Sequence, residues 1–161
     1  MKQHHVFSFL QRMGKSFMLP IAVLPVAGIF LGVGSSLTNE TTIASLHLGS
    51  VLGNGTFLYS VLILLKQVGK ILFDNLPLIF AVSIALGMSK RRKEVAALAA
   101  IIAFFVMHAT INALLCLDGS IVNGVVSGQA LDGSITSVCG MLSLEMGVFG
   151  GIVVGLGVSY L

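Results

Sequence analysis

Residues 16–37 read SFMLPIAVLPVAGIFLGVGSSL, and none of their side chains is charged. At about 1.5 Å per helical residue the stretch is roughly 33 Å long, which is enough to cross the hydrocarbon core of a bilayer. Pro20 and Pro25 remove two donors from the helical hydrogen-bond ladder, so we expect the helix to be kinked. The stretch therefore predicts a transmembrane helix.

The composition of the whole chain supports a membrane fold. Of its 161 residues 56% are hydrophobic and only 9% are charged, and the mean hydropathy is +1.03. A soluble domain carries about a quarter charged residues, so the chain is predicted to be an all-α integral membrane protein. The same figures exclude a disordered chain, a nucleic-acid-binding domain and a disulfide-rich secreted module.

Residues 1–15 form a basic, amphipathic segment ahead of the first apolar stretch. Apolar side chains recur in it at helical spacing, at Val6, Phe7, Leu10 and Met13. A helix of this kind lies on the membrane surface, and we assign residues 1–15 to such a helix. A secretory signal peptide is the alternative. Against it, the apolar run that follows is longer than a signal core and ends without a small-residue cleavage pattern.

Four later segments complete the predicted topology. Residues 56–73 carry Lys66 and Lys70 on one helical stripe, which predicts an outer interfacial helix whose lysines reach towards water. Together with residues 16–37, three further apolar segments bring the number of transmembrane helices to about four: 75–89, 95–117 and roughly 142–161. Residues 118–141 are rich in Gly, Ser and Asn and are predicted to be a loop.

The basic residues predict the orientation of these segments. The N-terminal residues Lys2, Arg12 and Lys15 and the cluster Lys-Arg-Arg-Lys at 90–93 are both expected on the cytoplasmic side. An even number of crossings must then separate them, and the N-terminus is cytoplasmic. The cluster at 90–93 anchors the topology on anionic lipid. Docking of an anionic partner protein is the alternative.

Glycines at four-residue spacing predict faces at which helices approach closely. Gly28 and Gly32 form one such face, and Gly147, Gly151 and Gly155 form a second. Small residues at this spacing let membrane helices pack backbone to backbone. We assign all five to helix packing; lining a substrate path is the alternative for the second face.

Few side chains in the apolar segments are candidates for binding a polar substrate. They are Asn75, His108 and Asn112, and polar residues within a membrane are costly and often functional. Hydrogen bonding between helices is the alternative role. Two interpretations of Cys116 and Cys139 stay open: they form a disulfide, or they are separate cysteines that pack as small apolar side chains. The sequence contains no pattern of catalytic residues, of metal ligands or of a cofactor site.

Four stretches carry a resemblance to a known family. They are GKSFMLPIAVLP at 14–25, NLPLIFAV at 75–82, EVAALAA at 94–100 and GVFGGI at 147–152. In this order they resemble the first four crossings of the IIC permease of bacterial phosphotransferase systems (PTS), in the glucose/glucoside superfamily. The long stretch between His108 and Glu145 is most similar to the maltose/α-glucoside branch.

The resemblance implies a function, partners and a location. It implies a membrane component of a phosphoenolpyruvate-dependent sugar phosphotransferase system: a homodimer in the bacterial cytoplasmic (inner) membrane, served by a IIB phosphocarrier domain. Residues 16–161 correspond to the N-terminal transmembrane part of the permease. The family's sugar-binding His and Glu belong to the C-terminal half, so sugar is expected to bind only when that half is present. The alternative is a non-transporting, self-associating membrane scaffold or small pore with the same fold.

Overall fold

The computed structural model describes residues 2–53, 55–90, 92–127 and 133–160. These residues form helices and two short hairpins. The helices are α1 (Lys2–Leu37), α2 (Glu40–Ser45), α3 (Gly49–Leu52), α4 (Phe57–Asp74), α5 (Leu76–Met88), α6 (Lys93–Leu117) and α7 (Gly147–Ser159). The strands are β1 (Ile121–Val122), β2 (Val125–Val126), β3 (Ile135–Val138) and β4 (Met141–Leu144). The chain divides into a first unit, Met1–Pro20 with Asn75–Leu161, and a second unit, Ile21–Asp74.

The helices confirm the all-α membrane fold. Two are long and apolar enough to cross a bilayer, Val6–Leu37 within α1 and the whole of α6, and α4 with α5 would add a third as one interrupted span. The helices α5 and α7 have 13 residues each, or about 20 Å, against a hydrocarbon core of about 30 Å. By length alone the described helices therefore give two or three crossings rather than about four.

Helix α1 differs from the prediction at its N-terminal end. One helix runs from Lys2 to Leu37 through Gly14, Pro20 and Pro25, so no boundary follows residue 15. A lone glycine costs a helix only about 1 kcal/mol, and residues 13–16 contain no turn signal that would end it. The location of residues 1–15 on the membrane surface stays a prediction.

Two hairpins replace much of the predicted loop at 118–141 and the start of the predicted last helix. Strand β1 pairs with β2 and β3 with β4, both antiparallel. Each connection has two residues with positive φ: Asn123 (52°) and Gly124 (75°), then Cys139 (49°) and Gly140 (87°). Two-residue turns of this kind match the twist of paired strands. Residues 141–144 are therefore strand, and the last helix begins at Gly147.

The core of the first unit lies where α5, α6 and α7 meet. Its fully or nearly buried members are mostly small, which allows the helices to approach closely: Ala81, Ala85, Ala100, Phe104, Val154 and Val158. The N-terminal part of α1 packs on the same unit. The Phe17 and Phe80 rings lie 5.7 Å apart, and a Cβ atom at Gly87 would overlap the side chain of Ser16.

In the second unit, α4 packs against residues 21–37 of α1 through two glycines. A Cβ at Gly69 would come within 2.8 Å of the Ala27 carbonyl oxygen and closer still to the backbone nitrogen of Leu31. A Cβ at Gly34 would lie 2.6 Å from the backbone nitrogen of Lys66. Both positions need glycine because the atoms opposite belong to a main chain that cannot move aside.

Candidate functional site

Two of the candidate polar residues, His108 and Asn112, lie one turn apart on α6 and both contact strand β4. The Nδ1 atom of His108 lies 2.7 Å from the Ser143 hydroxyl oxygen, and both side chains are buried. The amide nitrogen Nδ2 of Asn112 donates to the Leu142 carbonyl oxygen at 2.6 Å. The Phe104 ring packs edge-on against the imidazole, with centroids 4.5 Å apart. Helix α6 therefore holds β4 through two adjacent hydrogen bonds.

The third candidate, Asn75, contacts the turn of the same hairpin. The Cys139 thiol donates to Asn75 Oδ1 at an S···O distance of 3.2 Å. Asn75 directly precedes α5 as its N-cap residue. Partial burial raises the pKa of the Cys139 thiol, which keeps it protonated at neutral pH and able to donate this hydrogen bond.

All three candidate residues therefore converge on the hairpin β3–β4. Each of the three bonds to another group of the chain itself, and the His108–Ser143 pair is closed off from solvent. A buried polar pair of this kind is stable because each member satisfies the other. The arrangement fastens the hairpin to the start of α5 and to the second half of α6, which favours a structural role over direct contact with sugar, although the bonds join helices to a hairpin and not helix to helix.

The predicted packing glycines divide into two groups. At Gly151 an added Cβ would overlap the Pro77 carbonyl, and at Gly155 it would lie 2.7 Å from the Ala81 carbonyl oxygen, so these two glycines allow α7 to pack on α5. A Cβ at Gly28, Gly32 or Gly147 meets nothing within 4 Å among the described residues. Gly147, with a φ of 51°, begins α7.

Cys116 and Cys139 are both free thiols, the first exposed and the second half-buried. The structure thus does not form the disulfide that the sequence left open. The described residues contain no group of three or more His, Cys, Asp or Glu side chains that could hold a metal ion. The side chains of His4 and His5, the adjacent histidines near the N-terminus, lie outside what the structure describes, as does the whole of Arg91 in the cluster 90–93.

The charged residues of α4 form one ion pair. Lys70 Nζ lies 2.6 Å from Asp74 Oδ2, one helical turn away, with both side chains about half exposed. In water such a pair contributes little to stability, about 0.3–0.5 kcal/mol. The interfacial position of α4 stays a prediction.

Sequence reasoning missed the partners of the candidate residues. Ser143 and Leu142 were assigned to the beginning of the last helix, and Cys139 to the loop before it. One local signal was readable: Asn123-Gly124 between two β-branched pairs is typical of a two-residue hairpin. No comparable signal marks Cys139-Gly140, because cysteine is not a usual turn residue.

Comparison with known proteins identifies the family. The family described as "Phosphotransferase system, EIIC" matches residues 14–161. The chain belongs to the EIIC family of phosphotransferase systems. A curated relative, the "PTS system glucose-specific EIICBA component" of Staphylococcus saprophyticus subsp. saprophyticus, is 40% identical over 150 residues. The match covers 93% of this chain and 20% of the relative, so this EIIC chain spans about a fifth of that protein's length.

The match agrees with the predicted superfamily, and the branch stays a prediction. The relative's name specifies glucose, whereas the stretch between His108 and Glu145 favoured the maltose/α-glucoside branch. The four EIIC-like stretches each fall on a different helix of the structure. Residues 14–25 lie in α1, residues 75–82 begin one residue before α5, residues 94–100 lie in α6, and residues 147–152 begin α7.

Proposed function

We propose that this EIIC chain is a membrane part of a sugar permease that imports a glucopyranose sugar, coupled to its phosphorylation by a phosphoenolpyruvate-dependent phosphotransferase system. The observation that carries the proposal is the family match over residues 14–161 together with 40% identity to a glucose-specific EIICBA protein. Glucose and the maltose/α-glucoside class share the glucopyranose ring, and the relative's name favours glucose.

The geometry supports a scaffolding contribution to this function. The candidate polar residues of α6 are engaged in holding a hairpin, and the glycines of α7 bring it close to α5. The His108–Ser143 pair is buried away from any substrate in solvent, and neither arrangement supplies a phosphate-binding group. We therefore assign no catalytic residue to this chain, and propose that the phosphoryl group comes from a IIB-type domain, as the composite name of the relative suggests.

The proposed location is the bacterial cytoplasmic membrane, with the N-terminus and the cluster 90–93 facing the cytoplasm and the chain forming a homodimer. The uneven distribution of basic residues supports this orientation. In a background with Cys116 and Cys139 replaced by Ala, a cysteine at Lys90 should react only with membrane-permeant reagents. A cysteine at Ser127 should react with impermeant ones. The opposite pattern would exclude this orientation.

Sugar uptake by a chimeric permease tests the proposed function. Residues 14–161 of this chain would replace the matching part of the staphylococcal relative, in a bacterium that lacks its own glucose permease. We expect uptake and phosphorylation of labelled methyl α-glucoside, a glucose analogue, and competition by maltose would favour the α-glucoside branch. The relative without the replaced part is the negative control. A chimera that inserts at normal abundance but transports neither sugar would contradict the proposal.

A further inference from the structure

The second unit contains a cavity that the proposed function does not use. It lies where α2, α3 and the start of α4 meet, has a volume of about 540 Å³ and opens to solvent. Three polar side chains, Glu40, His47 and Tyr59, line it. Three small residues, Ala44, Gly49 and Gly53, leave room beside the backbone. Its volume is in the range of small-molecule sites, about 300–1,000 Å³.

The backbone holds His47 at the wall of this cavity in an unusual conformation. Helix α2 ends in a Schellman turn: the Leu48 N–H donates to the Ile43 carbonyl at 3.1 Å, and the His47 N–H donates to the Ala44 carbonyl at 3.3 Å. His47 occupies the position of this turn that is usually glycine, with a φ of 51°. Residues other than glycine that are held at positive φ are concentrated at functional sites.

The three polar side chains around the cavity are available to a ligand. Among the residues that the structure describes, none of the three side chains makes a hydrogen bond or an ion pair. The Glu40 carboxylate can only accept hydrogen bonds at neutral pH, whereas the His47 imidazole and the Tyr59 hydroxyl can both accept and donate. Tyr59 is half-buried and adds an aromatic ring to the lining.

The chemistry of this set favours a neutral ligand with several hydroxyl groups. One carboxylate and one imidazole are too few for a metal site, which needs three or four protein ligands. A carboxylate can accept from two neighbouring hydroxyls, the imidazole and phenol can bond to others, and an aromatic ring can pack on the apolar face of a sugar ring. We propose that this cavity is a low-affinity binding site for a pyranose sugar.

This inference rests on the proposed function, and it differs from the expectation that sugar binds only with the C-terminal half of the permease. The test is saturation-transfer NMR on the purified chain in lipid nanodiscs, with methyl α-glucoside as the probe. We expect saturable binding at millimolar sugar. His47→Gly keeps the turn, because glycine is the favoured residue there, and removes the imidazole. Glu40→Gln keeps the shape and removes the charge.

Each of these two variants should weaken binding by about tenfold or more while leaving the circular dichroism spectrum unchanged. Asp118→Asn, in the first unit, is the matched control and should bind like the parent chain. Absence of saturable binding by the parent chain would overturn the inference, as would unchanged binding by both cavity variants. The inference would also be overturned if tetramethylammonium displaced the sugar at a lower concentration than glucose does, because the cavity would then be a site for amines.

The chimeric permease separates this inference from the proposed function. If the chimera imports methyl α-glucoside while the isolated chain shows no binding at the cavity, only the inference fails. If the chimera carrying His47→Gly needs about tenfold more sugar for half-maximal uptake and keeps its maximal rate, the cavity acts as an entry site. If the chimera without substitutions fails to transport, the proposed function fails, whatever the cavity binds.

Discussion

Two pairs of glycines have the same four-residue spacing but different surroundings. Gly151 and Gly155 on α7 face main-chain carbonyls of α5, whereas a Cβ atom added at Gly28 or Gly32 on α1 would meet no atom within 4 Å among the described residues. We call the first pair the packed face and the second the open face. The comparison shows that spacing alone identifies a helix face able to pack closely, and that the residues opposite determine whether it does so within the chain.

The most damaging change to the packed face should be Gly151→Leu. The new side chain would overlap the Pro77 carbonyl, a backbone atom that cannot rotate away, so we expect a loss of about 3 kcal/mol or more in unfolding free energy. Gly157→Leu is the control, because Gly157 lies on the same helix with open space around it. Thermal unfolding in detergent measures both. Equal stability of the two variants would show that α7 does not pack on α5 as described.

A second change tests whether the hairpin supports the unit that contains the packed face. His108→Ala removes the buried imidazole, leaves the Ser143 hydroxyl unpaired and opens a cavity beside Phe104, which should cost about 2–3 kcal/mol. A double-mutant cycle with Ser143→Ala isolates the hydrogen bond, whose coupling should be about 1 kcal/mol. A coupling of zero would mean that the two side chains do not bond to each other.

A third change concerns α5, the helix behind the packed face. The Ser83 hydroxyl is buried and has no hydrogen-bond partner in the part of the chain that the structure describes. Ser83→Ala removes an unsatisfied group and should stabilise the protein by about 1 kcal/mol. Ser159→Ala provides a contrast, since the Ser159 hydroxyl does bond, to the Leu156 carbonyl. A destabilised Ser83→Ala variant would reveal a partner for this hydroxyl.

On the open face, Gly32→Leu should change the stability of a single copy by no more than about 0.5 kcal/mol. Space is available at this position, and leucine is the better helix former. Thermal unfolding measures the effect, and chemical cross-linking in the same detergent reports association between copies. A large loss of stability would show that the face is filled within one copy. A loss of cross-linking alone would place it between copies.

The smallest effect is expected at the turn that joins β3 to β4 near Asn75. Cys116 is exposed, whereas Cys139 is half-buried with a raised pKa, so Cys139 should react with maleimide more slowly at pH 8. Single-cysteine variants measure the two rates, and Asn75→Ala should speed the reaction of Cys139. Because the folded state favours the neutral Cys139 thiol, this group contributes its full stabilisation at pH values below the ordinary thiol pKa. The contribution is lost as the pH rises through the raised pKa of the folded state. Equal rates at pH 8 would contradict the partial burial of Cys139.

The positions of the helices could largely be predicted from the sequence. Long apolar segments located α1, α5 and α6, and the stripe with Lys66 and Lys70 located α4, because burial in lipid requires runs of apolar residues that are visible without a structure. The hairpins were missed because their strands have only two or four residues, too few to show alternation. One helix continues through the predicted boundary at residue 15, because a change of polarity alone does not end a helix.

The candidate site was predicted in its residues but not in its arrangement. Asn75, His108 and Asn112 were recognised because polar side chains stand out within apolar segments. Their contacts could not be predicted, since Ser143 follows His108 by 35 residues and Leu142 follows Asn112 by 30. One of those contacts is to a backbone carbonyl, which every residue has and which no sequence pattern reveals.

The hydrogen bond from Asn112 to Leu142 protects the exposed edge of a strand. Leu142 lies opposite Ser137, one pair beyond the pair that closes the turn. In an antiparallel hairpin alternate residues direct their N–H and C=O groups away from the partner strand. An edge carbonyl facing lipid would be unsatisfied, and facing another chain it could start unwanted strand pairing. By occupying this acceptor, α6 lets a two-stranded element lie beside membrane helices without offering that acceptor to a neighbouring molecule.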